Sequence, residues 1–208
     1  MLPLQIPIFP LPDVVLFPKV SLPLHVFEPR YREMVEHALA EDRLIGMTLL
    51  REGHDADTVV PPVYSIGCAG VIEHSEHMED GRYNIMLRGL EKFRIQNEYQ
   101  KGNYRQAVID TIEESCTDRE LRLLTIIRTR LEALLTNNLE ASSANVEIPE
   151  EMTDIELVNT IAQYYEFDMV EKQFLLERQG PHKRCQALIE LLEMQNMATH
   201  QHYKHGIQ

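Results

Sequence analysis

Hydrophobic positions along the chain follow two different periods. Near the N-terminus Leu4, Ile6 and Ile8 alternate with Gln5 and Pro7, the period of a strand with one buried face. Seven of the eleven prolines fall in the first 29 residues. Because proline donates no backbone hydrogen bond, the alternating stretch is predicted to be an irregular edge strand. "DVVLF" and "SLPLHVF" read as two further short strands. A helix is predicted from Pro29, a favoured first-turn residue, with Tyr31, Met34, Val35, Ala38 and Leu39 on one face.

"RLIGMTLL" reads as a strand, and "REGHDADTVVPP" as a polar loop. "VYSIGCAGVIEHSEH" and "RYNIMLRGLEKFRI" flank "MEDG", whose Asp80-Gly81 is a turn signal, so these runs predict a hairpin. Gly67, Gly70 and Gly89 within the runs suggest bulges or tight bends. "NYRQAVIDTIEE" supplies a last strand.

From Thr117 the period becomes helical. Thr117 and Glu120 form a capping box ahead of a stripe of Leu121, Leu124, Ile127, Leu131, Leu134 and Leu135. Thr153 and Glu156 repeat it ahead of Leu157, Val158, Ile161 and Tyr165. "DMVE" opens a third helix that stops at Gly180-Pro181, and a fourth carries Cys185, Leu188, Leu192 and Met197, before a polar tail expected to fray. The pattern predicts an α+β chain: a β-rich part, residues 1–113, followed by an α-helical part, residues 114–208.

Composition narrows the function. The net charge is −13 and no basic cluster stands out, which disfavours nucleic acid and anionic lipid. Three scattered cysteines, Cys68, Cys116 and Cys185, fit a cytoplasmic protein better than a disulfide framework or zinc site. The apolar start "IPIFPLPDVVLFP" is too proline-broken for an export signal or a membrane span.

Candidate chemistry is sparse. In "EHSEH", His74 and His77 are an odd number of residues apart, so in a strand they face opposite sides and cannot share a metal. Cys68 with His74 forms a notional nucleophile–base pair that no third group orients. His200, His202 and His205 make only a weak metal-binding tail, and Ser142-Ser143 belongs to a linker. No catalytic, cofactor or metal residue is assigned. The candidates for apolar polypeptide binding are Leu24, Phe27, Tyr31 and Met86, on or beside strands that could line a groove. Arg82 and Arg88 flank "YNIML" and could pair with peptide carbonyls or carboxylates.

"PLPDVVLFPKVSLPLHVFEPRYREMV" resembles the opening of the Lon N-terminal domain family, the substrate-recognition module of ATP-dependent Lon proteases. The resemblance continues through "YSIGCAGVIEHSEHMEDGRYNIMLRGLEKFRI" and reaches "EKQFLLERQGPHKRCQALIELLE". It departs at Pro12, where the family commonly has a basic residue. It implies a PUA-like, six-stranded β pseudobarrel followed by a helical bundle. It also implies recognition of unfolded or disordered polypeptide, as a stand-alone form acting as an adaptor for proteolysis or quality control beside a separate ATP-dependent protease. No GxxxxGK[ST] phosphate loop and no serine–lysine protease region accompany it, so a non-enzymatic role is expected. The alternatives are a small-molecule-binding or scaffold module with a PUA-like barrel, and a hydrolase using Cys68 or the His74–His77 pair.

Overall fold

The computed structural model describes residues 2–53, 60–142 and 152–205, with the side chains of 136–142 and 198–205 outside the description. Two compact units result: Met1–Glu114 with Gln163–Glu177, and Ser115–Ala162 with Arg178–Gln208.

The first unit is built on six strands: β1 (Gln5–Leu11), β2 (Ser21–Val26), β3 (Leu44–Leu49), β4 (Ile66–His77), β5 (Tyr83–Lys101) and β6 (Tyr104–Ile112). Helix α1 (Pro29–Ala40) lies between β2 and β3 in sequence. The sheet order is β2-β5-β4-β3-β1-β6, and β5 also pairs with β6. That extra pairing closes β1, β3, β4, β5 and β6 into a ring, with β2 attached to β5 outside it. Among the described residues only the β1–β3 pairing is parallel. Closure is possible because β5 is 19 residues long: Tyr83–Arg88 pairs with β2, and Lys92–Lys101 pairs with β6. Ile6, Ile8, Ala69, Phe93, Ala107 and Ile109 fill the ring.

β1 corrects the expectation of an edge strand, since it is paired on both sides. Gln5–Ile8 lies against β6 and Ile8–Leu11 against β3. Pro7 therefore faces only Gln106, and Pro10 only Thr48. Each proline sits where one side of the strand has no partner, so neither removes a ladder hydrogen bond.

"DVVLF" is not a strand either. Val15, Leu16 and Phe17 are all buried in succession, without the alternation a strand needs. The Phe17 N–H donates to Gln163 Oε1 (3.0 Å), and the Lys19 N–H to the Gly89 carbonyl (2.7 Å). The hydrogen bonds of this segment thus go to a side chain and to one close backbone approach. A Cβ on Gly89 would lie 2.1 Å from the Phe17 carbonyl oxygen, so only glycine allows that approach.

The β4–β5 hairpin forms as expected, with Gly81 at φ +80° closing the turn. Helix α4 (Met169–Glu177) also packs in this unit: Gln173 Nε2 donates to the Ile66 carbonyl (2.9 Å), and Lys92 Nζ to the Leu176 carbonyl (3.0 Å).

The second unit contains α2 (Asp118–Ser142), most of α3 (Asp154–Tyr164) and α5 (Gly180–His205). Both capping boxes form. The Thr117 N–H and hydroxyl donate to Glu120, whose own N–H returns to Thr117 Oγ1, and Thr153 and Glu156 repeat the pattern. Leu124 and Leu131 are fully buried, but Leu121 and Met197, expected on buried stripes, are exposed. Arg184 is completely buried and donates to Asn159 Oδ1 at 2.6 Å. Backbone α5 continues to His205, through the tail expected to fray. No helix among the described residues is long and apolar enough to cross a membrane.

Candidate functional site

Strand register decides which of the predicted binding residues can act together. Residues directly opposite in a ladder share a face, and successive residues alternate. Met86 lies opposite Pro23 of β2 and His74 of β4, whereas Leu24 lies opposite Ile85, which is buried. Leu24 and Met86 are therefore on opposite faces, and a single groove cannot use both.

Met86 shares its face with Asn84 and Arg88, all partly exposed. A polar network crosses this face. Arg82 pairs with Asp80 (2.5 Å) and contacts His25 Nε2 (3.2 Å). His25 Nδ1 meets Asn84 Oδ1 at 2.7 Å, and Asn84 Nδ2 donates to Glu76 (3.0 Å). The hydrogen bonds from Arg82 hold the Asp80 carboxyl below its ordinary range. Arg88 lies 3.8 Å from Glu73, the residue at the β4 bulge. Beside this network Phe27 is 61% exposed, its ring stacked on His25 with centroids 6.2 Å apart. Arg82, Arg88, Met86 and Phe27 thus border one surface, on which Met86, opposite Pro23, and Phe27, four residues further along the chain, are separated by the polar groups of His25 and Asn84.

The margin of that surface is the outer edge of β2. The Ser21 carbonyl accepts from the Tyr164 hydroxyl (2.5 Å) and so points away from β5. Backbone groups alternate in direction, so Pro23 also faces outward, and its missing N–H falls on the open edge. An added strand there would lack a donor at Pro23 and find Ser21 already bonded. β1, the strand expected to offer an edge, is paired on both sides. Side-chain recognition is better served by this geometry than strand addition.

Tyr31 sits elsewhere. It is 5% exposed and packs on Phe9 (centroids 4.3 Å apart), with the Arg30 guanidinium 4.4 Å above its ring. Burial raises its phenol pKa, and the nearby Arg30 charge opposes that rise. Tyr31 borders a cleft of about 360 Å³ between the first turn of α1, the end of β1 and the β5–β6 hairpin. Arg30 and Arg105 reach this cleft, with the amides of Gln100 and Asn103, and Pro10 and Pro61 form apolar wall. None of these four polar residues was expected from the sequence. Arg30 and Arg105 are 75 positions apart, and the pairing Gln100↔Arg105 in the hairpin is what brings the second one here.

The chemical candidates do not assemble. His74 lies opposite Met86, and His77 opposite Tyr83, on whose ring it stacks at 4.5 Å. The two histidines are on opposite faces, as their spacing requires. Cys68 is fully buried opposite Lys92, six residues along β4 from His74, about 20 Å in an extended strand. Among the described residues no group of three or more His, Cys, Asp or Glu is placed to hold a metal. The side chains of His200, His202 and His205, and of Ser142 and Ser143, lie outside the described residues.

Comparison with known proteins agrees with this fold. The chain is similar to Lon protease 2 of Syntrophobacter fumaroxidans, 29% identical over 183 residues, covering 85% of this chain and 22% of that protein. It is also similar to Lon protease 2 of Myxococcus xanthus, 27% identical over 195 residues, covering 92% of this chain and 24% of that protein. The chain thus spans about a quarter of the curated relatives it matches. Among solved structures, the N-terminal domain of Mycobacterium avium complex Lon protease superposes with a TM-score of 0.69 at 18% identity, covering 91% of this chain and 98% of that one. The Lon N-terminal domain protein from Xanthomonas campestris gives 0.61 at 23%, covering 89% and 97%. The family of the ATP-dependent protease La (LON) substrate-binding domain matches residues 5–194, so this chain, whose described residues form a six-stranded sheet and five helices, belongs to that family.

Proposed function

We propose that the chain recognises unfolded or disordered polypeptide segments without itself catalysing a reaction, and that it hands such clients to an ATP-dependent protease in the cytoplasm. The carrying observation is the match of residues 5–194 to a family defined as a substrate-binding domain. The surface around Phe27 and Met86 supports the reading. A large exposed aromatic ring and, further along the same face, a flexible thioether offer apolar contact to many sequences, and the Arg82–His25–Asn84 network between them fixes polar groups that meet peptide carbonyls. The net charge of −13 favours clients with basic flanks.

Hydrogen exchange tests the location. In the presence of a permanently unfolded polypeptide, amides of β2 and of the first half of β5 exchange more slowly than in its absence. Phe27→Ser weakens the protection while leaving the far-ultraviolet circular dichroism unchanged. Protection elsewhere, with none in these two strands, would reject this surface.

A further inference from the structure

We propose that the cleft bordered by Tyr31 holds the free C-terminal carboxylate of a polypeptide whose last residue is apolar. This deepens the polypeptide-recognition reading and rests on it. In a chain of net charge −13, this cleft is lined by two guanidiniums, those of Arg30 and Arg105, and by no acidic side chain. Arg105 is fixed, its side chain only 12% exposed. The Arg30 guanidinium lies 4.4 Å from the Tyr31 ring centroid, and Glu28 takes its Nε and Nη2, which leaves Nη1 for a ligand.

Both arginines have glutamate neighbours, Glu28 at 2.8 Å and Glu98 at 3.3 Å. The Arg30–Glu28 pair is solvent-accessible and hence weak; the Arg105–Glu98 pair is more buried but engages Nη1, and each guanidinium has five N–H donors, so donors remain for an incoming carboxylate. The other walls suit the rest of a chain end. Pro10, Pro61 and Val60 offer apolar contact to the terminal side chain. Gln100 Nε2 donates to the Gly102 carbonyl and Asn103 Nδ2 to Glu33, so the two side-chain carbonyl oxygens are what these amides offer to the last peptide N–H. Capture of a terminal carboxylate by fixed donors is an established mode of peptide recognition.

The test is fluorescence anisotropy with the full chain and three N-terminally labelled decapeptides. The first ends in leucine with a free carboxylate. The second is its C-terminal amide, and the third is the amide with glutamate at the penultimate position. The free acid is expected to bind about tenfold or more tighter than either amide, the effect of losing a charge-assisted hydrogen-bond pair. Arg105→Gln and Arg30→Gln each erase that difference. The acid–amide comparison on the unaltered protein stands even if Arg105→Gln folds poorly. Equal binding of acid and amide overturns the carboxylate site and leaves polypeptide recognition intact. A glutamate amide as tight as the acid overturns the chain-end assignment, and binding by none of the three overturns both readings.

Discussion

The Lys92 ammonium, 1% exposed, lies 2.7 Å from the Glu114 carboxylate and donates to the Leu176 carbonyl at 3.0 Å. A buried lysine persists because these partners replace the water it lost. The cost of removing one partner exceeds the net worth of the pair, since the remaining charge stays buried. Glu114→Ala is therefore expected to lower stability by about 3 kcal/mol, while the double change Lys92→Met with Glu114→Leu recovers most of that loss. Urea unfolding followed by circular dichroism measures both, since the chain has no tryptophan to report.

Gly89 makes a second prediction. A methyl group there would overlap the Phe17 carbonyl, which is backbone and cannot swing aside. It would also disturb the bonds that Gly89 makes with Lys19 and Val20. Gly89→Ala should cost about 2 kcal/mol or more, within the range for overpacking. Gly53→Ala, with nothing within 4 Å of the added carbon but φ at +74°, should cost about 1 kcal/mol. The two unfolding midpoints rank these variants directly.

Acid dependence follows from Asp154. Burial pushes its carboxyl upward, but the Thr125 hydroxyl (2.6 Å) and the Arg128 guanidinium (2.7 Å) outweigh burial and leave it below the ordinary value. A depressed folded value means the stabilisation is complete above the unfolded pKa of about 4 and is lost as pH falls through the lower folded one. Asp154→Asn should be less stable than the unaltered protein at pH 7, and the gap should narrow below about pH 4. Unfolding free energies across this range check the sign.

Thiol chemistry separates the cysteines. Burial pushes the Cys185 thiol up to about 12, with Asp154 adding to the rise, so it stays protonated and inert at neutral pH. Cys68 is likewise buried, whereas Cys116 is partly exposed. Brief alkylation of the native protein should label Cys116 first, and mass spectrometry of the peptides reads the order. Rapid labelling of Cys185 without unfolding would contradict its placement.

Sequence pattern revealed elements wherever the signal was local. The capping boxes at Thr117 and Thr153, the Asp80-Gly81 turn and the Pro29 helix start are each decided by a few adjacent residues. Non-local partners were not legible. Nothing near Pro7 or Pro10 says that β1 changes partner at Ile8, since this depends on β3 and β6. "DVVLF" looks like a strand by composition, yet its backbone bonds go to Gln163, 146 residues away from Phe17. The candidate site divided for the same reason. Leu24 and Met86 are both apolar and both on strands, but only the register shows that they face opposite ways. Arg30 and Arg105 carry no distinguishing sequence pattern, and hairpin geometry alone brings the second to the cleft.

Recognition of unfolded polypeptide is tested most directly by titrating the chain into a fluorescently labelled, permanently unfolded polypeptide, with the folded form of the same polypeptide in parallel. Saturable binding of the unfolded form near micromolar concentration, on the order of −8 kcal/mol, with none to the folded form, is the expected result. Absence of saturable binding to the unfolded form up to millimolar concentration, or equal binding to both forms, would contradict the account.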